Sequence, residues 1–138
     1  MTEQVFGTRV TLRRGDTVKV CFQEIVRTDS DKTLGLNIDM CENKNLSWDG
    51  KETFQLNISE ISYFAAYWLK LVDDVNFAYH GSNKNRSLTI KRKTKDRVSY
   101  HQMSLWQMGK GLHYINIYDT EGFGIFNMLL FTLAKQYK

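Results

Sequence analysis

The spacing of the apolar residues changes from two to three or four at two points in the chain, and this double change constrains the fold most strongly. In the first half, apolar and polar residues alternate along three segments, as they do in strands whose side chains point to opposite faces in turn. The predicted strands are Val18–Phe22, Lys32–Cys41 and Thr53–Ile58. The spacing then becomes helical and predicts an amphipathic helix over Glu60–Val72, with Ser59 as its cap.

The second half of the chain repeats this order of elements. Three further segments alternate as strands do, and they are Arg86–Lys93, Arg97–Trp106 and Leu112–Tyr118. Asp119 and Glu121 then supply a cap and a first-turn acid for a second helix. The apolar face predicted for that helix comprises Phe123, Phe126, Leu130, Leu133, Ala134 and Tyr137. The sequence therefore predicts an α+β fold with two successive units of antiparallel β-strands, each followed by an amphipathic helix.

The length of 138 residues suits one domain, which we expect to span the whole chain. We place the first unit at residues 17–75 and the second unit at residues 84–138. Residues 1–16 form either an extra strand or a basic arm that contacts the ligand or a neighbouring subunit, since they contain Arg9, Arg13 and Arg14. Four aromatic residues on the predicted helical faces are assigned to the core, and they are Phe64, Trp68, Phe123 and Phe126.

The pattern of histidines and cysteines argues against a catalytic or metal site. The histidines, His80, His101 and His113, form none of the paired motifs of zinc sites. Cys21 and Cys41 belong to no Cys-x-x-Cys pair, and we expect both thiols to be reduced and at least partly buried, with a single disulfide as the alternative. We therefore expect no enzymatic activity, no metal and no cofactor.

The distribution of apolar residues predicts a cytoplasmic protein that makes no membrane contact. No apolar stretch approaches the ~20 residues that span a bilayer, and the first residues lack the pattern of a signal peptide. Asn, Lys, Ile and Tyr are frequent, which suits an AT-rich genome such as that of a phage. In that case we expect the protein in the host cytoplasm.

The net charge of +4 is unevenly distributed. Residues 1–69 carry 8 basic and 10 acidic side chains, whereas residues 70–138 carry 11 basic and 5 acidic ones. The first half is therefore at −2 and the second half at +6. A local excess of positive charge of this size creates a field that attracts a polyanion.

A basic cluster lies around one predicted hairpin turn in the second half. It consists of Lys91, Arg92, Lys93, Lys95 and Arg97. Lys and Arg neutralise phosphates, and the release of counterions then favours binding without reading the base sequence. The alternative is a solvated hairpin whose lysines protect a sheet edge. We add three further basic candidates for nucleic-acid binding, which are Lys19, Lys32 and Lys110.

Aromatic residues near this cluster are candidates for stacking on bases. They are Tyr100, Trp106, Tyr114 and Tyr118, together with Trp48 from the first unit. A base that stacks on an aromatic ring gains ~1–3 kcal/mol with little sequence preference. The alternative for each of these rings is a place in the core. Trp48 lies in a turn-like segment beside Asp49 and Gly50, which favours its exposure.

The order of elements and the strand-to-helix junctions resemble those of the Whirly family and of its relative, the transcriptional positive cofactor four family. The junctions are Leu56-Asn57-Ile58 and Ile115-Asn116-Ile117, each followed by a hydroxyl residue and Glu. Whirly proteins carry a Lys-Gly-Lys-Ala-Ala-Leu segment in an early strand, where this chain has Asp31-Lys32-Thr33-Leu34-Gly35-Leu36. Both families bind single-stranded DNA, so the resemblance implies this ligand and the sheet as the binding surface.

The function expected from the resemblance and the charge is largely sequence-independent binding of single-stranded DNA in replication or recombination. An RNA-binding protein of the same fold is one alternative. A protein–protein interaction module that acts on a host factor is another. Apolar residues beyond a single helical stripe, such as Tyr63 and Leu71, predict a homo-oligomer, either a dimer or a tetramer.

Overall fold

Two four-stranded antiparallel sheets, each followed by a helix, form the described part of the chain, which comprises residues 4–15, 17–27, 33–42, 48, 51–80 and 85–135 of a computed structural model. The first sheet contains β1 (Gln4–Arg14), β2 (Val18–Arg27), β3 (Thr33–Cys41) and β4 (Glu52–Leu56), and α1 (Ile58–Trp68) follows it. The second sheet contains β5 (Asp74–His80), β6 (Arg86–Lys95), β7 (Val98–Gln107) and β8 (Gly111–Tyr118), and α2 (Asp119–Ala134) follows it. In both sheets the strands lie in chain order. The predicted fold class is confirmed.

One hydrophobic cluster joins both sheets and both helices. The inner face of each sheet is its buried face, and each inner face contributes to this cluster. The largest fully buried side chains include Phe22 and Phe54 from the first sheet, Ile90 and Met103 from the second, and Phe64 from α1. Burial of apolar surface stabilises the folded state by ~25 cal/mol per Å². The shared core is therefore the main contribution to the stability of the contact between the two units.

The structure has a strand that the sequence analysis missed. β5, Asp74–His80, pairs antiparallel with β6 in a segment for which no element was predicted from the sequence. Its register places Asp74 opposite Lys91 and Asn76 opposite Thr89. The second unit therefore has four strands and begins before residue 84.

Helix α1 is shorter than predicted at its end, and its cap is a different residue. Asn57 is the N-cap, because its side chain accepts a hydrogen bond from the Glu60 amide at 2.9 Å and its own amide donates to the Glu60 carboxylate at 3.0 Å. The helix ends at Trp68 instead of Val72. Lys70 has φ +61, a left-handed conformation that stops helical propagation.

Helix α2 buries a different face from the predicted one. Its buried residues are Gly122, Ile125, Met128, Leu129 and Thr132. Phe123 is 67% exposed, so its assignment to the core was wrong, and Leu130 is 43% exposed. The helix is apolar on nearly every side, so its spacing did not single out one face.

The N-terminal segment forms strand β1 and not a free basic arm. β1 pairs with β2 over most of its length. The Arg14 guanidinium forms an ion pair with Glu121 and donates hydrogen bonds to the backbone carbonyl of Asn116 at 2.7 and 3.1 Å. Arg14 therefore links the first sheet to β8 and to the start of α2, and its positive charge is paired with the Glu121 carboxylate.

Neither described helix is long and apolar enough to cross a membrane. Both cysteines are buried and free, as expected. They lie on β2 and β3, where Cys21 is opposite Asp39 and Cys41 is opposite Lys19. Burial raises the pKa of the Cys21 thiol and of the Cys41 thiol, which keeps both protonated at neutral pH.

Candidate nucleic-acid interface

The face of the second sheet that points away from the core presents four cross-strand rows of side chains and, beyond them, the pair Lys95–Val98, and we call it the outer face. The register gives the rows as Ser87–Trp106–Leu112, then Asn76–Thr89–Ser104–Tyr114, then Asp74–Lys91–Gln102–Asn116, then Lys93–Tyr100–Tyr118. All of these side chains are exposed or half-buried, whereas their sequence neighbours Val75, Ile90 and Met103 are buried. The two middle rows are mostly polar, and the two end rows contain the aromatic residues Trp106, Tyr100 and Tyr118.

The basic cluster predicted from the sequence is divided between the two faces of β6. Lys91, Lys93 and Lys95 are at every second position of β6, so all three lie on the outer face. Arg92 lies on the opposite face, where it pairs in register with His101. Arg97 lies in the turn between β6 and β7, with φ +67. The outer face therefore receives a line of three lysines.

Exposed aromatic rings share the outer face with these lysines. Trp106 is 38% exposed, Tyr114 is 48% exposed and Tyr118 is 47% exposed, while Tyr100 is half-buried. Tyr100 lies directly opposite Lys93 on one side and Tyr118 on the other. The rings and the ammonium groups are thus close enough for one strand of nucleic acid to contact both.

The candidates from the first unit lie on the other sheet. Lys19 lies on β2, and its Nζ is 3.9 Å from the centroid of the Trp48 ring. This cation–π contact leaves Trp48 37% exposed. Lys32 lies outside the residues that the structure describes. Lys19 and Trp48 therefore contact each other, and neither belongs to the second sheet.

Lys110 lies where the two sheets meet and is not part of the outer face. Its Nζ donates a hydrogen bond to the backbone carbonyl of Lys51 at 3.2 Å. Lys51 immediately precedes β4, and Lys110 lies in the turn between β7 and β8. The contact therefore joins the two sheets.

A histidine between two glutamates reinforces the same junction, and sequence reasoning did not find it. His113 Nδ1 lies 2.6 Å from a carboxylate oxygen of Glu42, and His113 Nε2 lies 2.8 Å from a carboxylate oxygen of Glu52. Burial lowers the pKa of His113, but the Glu42 hydrogen bond and the charges of both glutamates outweigh it and raise that pKa overall. Burial also raises the pKa of Glu52. The imidazolium form bridges β8 to the ends of β3 and β4.

A hydrogen-bond chain runs from the buried Tyr67 through the buried His101 to the exposed side chain of Asp119. The Tyr67 hydroxyl lies 2.6 Å from His101 Nδ1, and His101 Nε2 lies 2.6 Å from the Asp119 carboxylate. Burial raises the pKa of Tyr67 to about 12, so the hydroxyl keeps its proton at neutral pH. The chain connects α1, β7 and the start of α2.

The described residues contain no group of three or more His, Cys, Asp or Glu side chains that could hold a metal ion. The two glutamates beside His113 bind opposite nitrogens of one ring, an arrangement that uses the ring as a hydrogen-bond bridge.

The middle of the outer face contains a shallow cavity of about 240 Å³. Its polar lining residues are Asp74, Asn76, Thr89, Lys91, Gln102 and Ser104. Of these residues, only Lys91 was predicted from the sequence to bind nucleic acid. The alternation along β6 and β7 was enough to predict that Thr89, Gln102 and Ser104 lie on the same face as Lys91. Asp74 and Asn76 were missed because β5 was missed.

The architecture, two successive units of a four-stranded antiparallel sheet and a helix, resembles the Whirly fold. Among solved structures, the crystal structure of WHY1 from Arabidopsis thaliana is similar, with a TM-score of 0.65 and 16% sequence identity. The superposition covers 91% of this chain and 82% of that chain. No protein-family model matches the sequence. No curated protein matches it either.

Proposed function

We propose that this protein binds single-stranded DNA along the outer face of the second sheet. The observation that carries the proposal is the placement of Lys91 and Lys93 on the same face as Tyr100, Trp106 and Tyr114. Lysines that contact phosphates beside rings that stack on bases are the usual components of sequence-tolerant binding to single strands. The likeness to the Whirly fold supports the same class of ligand.

The proposed role is in replication or recombination, where single strands are transiently exposed. Binding is largely independent of base sequence, because phosphate contacts and stacking supply most of the affinity. RNA is the alternative ligand for the same face. A competition between DNA and RNA strands of equal length and sequence separates the two, since the 2′-hydroxyl is the main difference that the protein meets.

The test replaces Lys91 and Lys93 together with Ala and measures affinity for oligo-dT over a range of salt concentrations. We expect weaker binding and a salt dependence shallower by about 1.4, since each phosphate contact to a single strand contributes about 0.7 to the slope. The matched control replaces Lys70 and Arg92 with Ala, which removes the same charge from the opposite side, where both residues line one cavity. Equal losses in the two variants would refute a binding surface on the outer face.

We propose further that the protein self-associates as a dimer or a tetramer through its helices. Tyr63 and Leu71, in and just after α1, and Phe123, Leu130 and Phe131 on α2 are exposed at 43% or more. Exposed apolar side chains on both helices are typical of a surface that a symmetry mate covers. Light scattering coupled to size exclusion tests this, and replacing Phe123 and Leu130 with Ser is expected to shift the mass toward the monomer. An unchanged mass would reject this surface as the contact.

A further inference from the structure

The cavity in the middle of the outer face is polar, although aromatic residues flank it. Trp106 in the first row and Tyr100 in the fourth row are six residues apart on β7. At ~3.3 Å per residue, these rings are about 20 Å apart along the strand. A single strand that stacks on both ends of the face therefore passes over the polar rows between them.

The lining side chains provide both hydrogen-bond donors and acceptors. Gln102 and Asn76 offer both through their amides, and Ser104 and Thr89 offer both through their hydroxyls. Asp74 can only accept when ionised, and Lys91 can only donate. The register brings Asp74, Lys91 and Gln102 into one row across three adjacent strands.

This chemistry does not suit a phosphate in the cavity itself. The Asp74 carboxylate repels an anion, and no aromatic side chain lines the cavity to stack on a ring. The volume of about 240 Å³ is below the roughly 300 Å³ at which pockets for drug-sized ligands begin, so it suits a single small ring. The edge of a nucleobase has this size and carries both donors and acceptors.

We infer that the cavity reads the edge of one unpaired nucleobase and favours a base with an exocyclic amine, cytosine over thymine. This inference rests on the proposed binding of a single strand to the outer face. The cytosine amine donates to the Asp74 carboxylate and the Gln102 amide donates to the ring nitrogen, which leaves Lys91 for the proposed phosphate contact. Thymine in the same pose has a carbonyl where cytosine has the amine and an N3–H where cytosine has the acceptor ring nitrogen. It therefore presents an acceptor to the Asp74 carboxylate and a donor to the donating Gln102 amide, so both contacts are lost.

The test measures equilibrium binding of fluorescently labelled oligo-dC and oligo-dT of equal length at slightly alkaline pH, where cytosine is neutral. We expect the wild-type protein to bind oligo-dC about fivefold more tightly, the low end of the discrimination supplied by a good base contact. The Asp74→Asn variant is expected to bring the ratio close to one, because an amide can donate to the thymine carbonyl. Gln102→Met is expected to weaken oligo-dC binding more than oligo-dT binding without a change of charge.

The matched control is Asp73→Asn, which makes the same charge change at the preceding residue. Asp73 lines a different cavity with Tyr67 and Arg92. The control is expected to keep the preference for oligo-dC, although both affinities rise as negative charge is removed. A wild-type ratio of one, or the same loss of preference in both Asp variants, would overturn the base-reading site while leaving single-strand binding intact. Failure of both oligonucleotides to bind would instead reject the proposed function.

Discussion

The indole of Trp68 on α1 lies against the backbone of Gly122 on α2, where a β-carbon would be 2.9 Å from Cε3 of the indole and closer still to Cζ3. Real β-carbons do not make contacts this short, so the two helices approach one another only because residue 122 has no side chain. Gly122 is buried, and the Trp68 ring also contacts His101 with centroids 4.7 Å apart. Close packing at this point connects α2 to α1 and the second sheet.

We predict that Gly122→Ala lowers the free energy of unfolding. Overpacking costs ~1–3 kcal/mol, and the better helix propensity of Ala returns ~1 kcal/mol, so the net effect is destabilising by up to ~2 kcal/mol. Urea denaturation monitored by circular dichroism measures the change.

The control for this prediction is Gly124→Ala in the same helix. A β-carbon at residue 124 meets nothing within 4 Å. At that position only the gain in helix propensity from Gly to Ala remains. The variant is therefore expected to be more stable than the wild type by up to ~1 kcal/mol. If both variants changed the stability in the same direction, the contact with Trp68 would not be the cause.

We predict that Asn57→Ala destabilises the protein and that Ser59→Ala does not. Asn57 caps α1 through the reciprocal hydrogen bonds with Glu60, and loss of such a cap costs ~1 kcal/mol. Ser59 lies within the first turn and is exposed, so its replacement by Ala is neutral or slightly stabilising. Thermal unfolding of the two variants compares them directly. The reverse order of stability would show that Ser59, and not Asn57, caps α1.

The contribution of His113 to stability is predicted to fall as the pH rises. Its pKa in the folded protein is raised, so the folded state holds the proton more tightly than the unfolded state. The stabilisation is complete below the unfolded pKa of about 6.5 and is lost as the pH rises through the folded pKa. We expect the stability difference between the wild type and His113→Gln to be large near pH 6 and small near pH 9.

Urea midpoints of the two proteins across this range measure the difference. The glutamate partners must stay ionised, and burial raises the pKa of Glu52. The urea midpoints are therefore compared only above the pH range in which carboxylates titrate. A difference that grew with pH would contradict an imidazolium held between Glu42 and Glu52.

Local periodicity determined how much of this structure could be predicted. The spacing of two along β6 and β7 and the helical spacing of α1 each depend on one face being buried, so the sequence carries a clear signal there. β5 was missed because its alternation is short and follows two aspartates. The buried face of α2 was missed because the helix is apolar on most sides, and the contact between Gly122 and Trp68 that orients it joins residues distant in sequence.

The candidate interface shows the same limit. The alternation of Lys91 and Lys93 around Arg92 could have been predicted from β6 alone. The bridge from His113 to Glu42 and Glu52 could not, because it joins residues more than sixty positions apart across two sheets. Contacts of this kind depend on how the sheets pack, and a periodic pattern carries no information about that packing.

The last prediction concerns the stacking rings on the outer face. Trp106→Ala and Tyr114→Ala are each expected to weaken binding to oligo-dT by ~1–3 kcal/mol, about fivefold to a hundredfold. The salt dependence of binding is expected to stay unchanged, because a stacked ring contributes no charge. The control is Phe123→Ala, which removes a ring that is 67% exposed but lies on α2. The affinities are measured with an oligo-dT short enough to contact one protomer, so that the self-association proposed for the Phe123 surface does not enter the comparison. Quenching of tryptophan fluorescence by oligo-dT is expected to be reduced in Trp106→Phe. If loss of the Phe123 ring weakened binding as much as loss of the Trp106 ring, the DNA would follow the helices instead of the sheet.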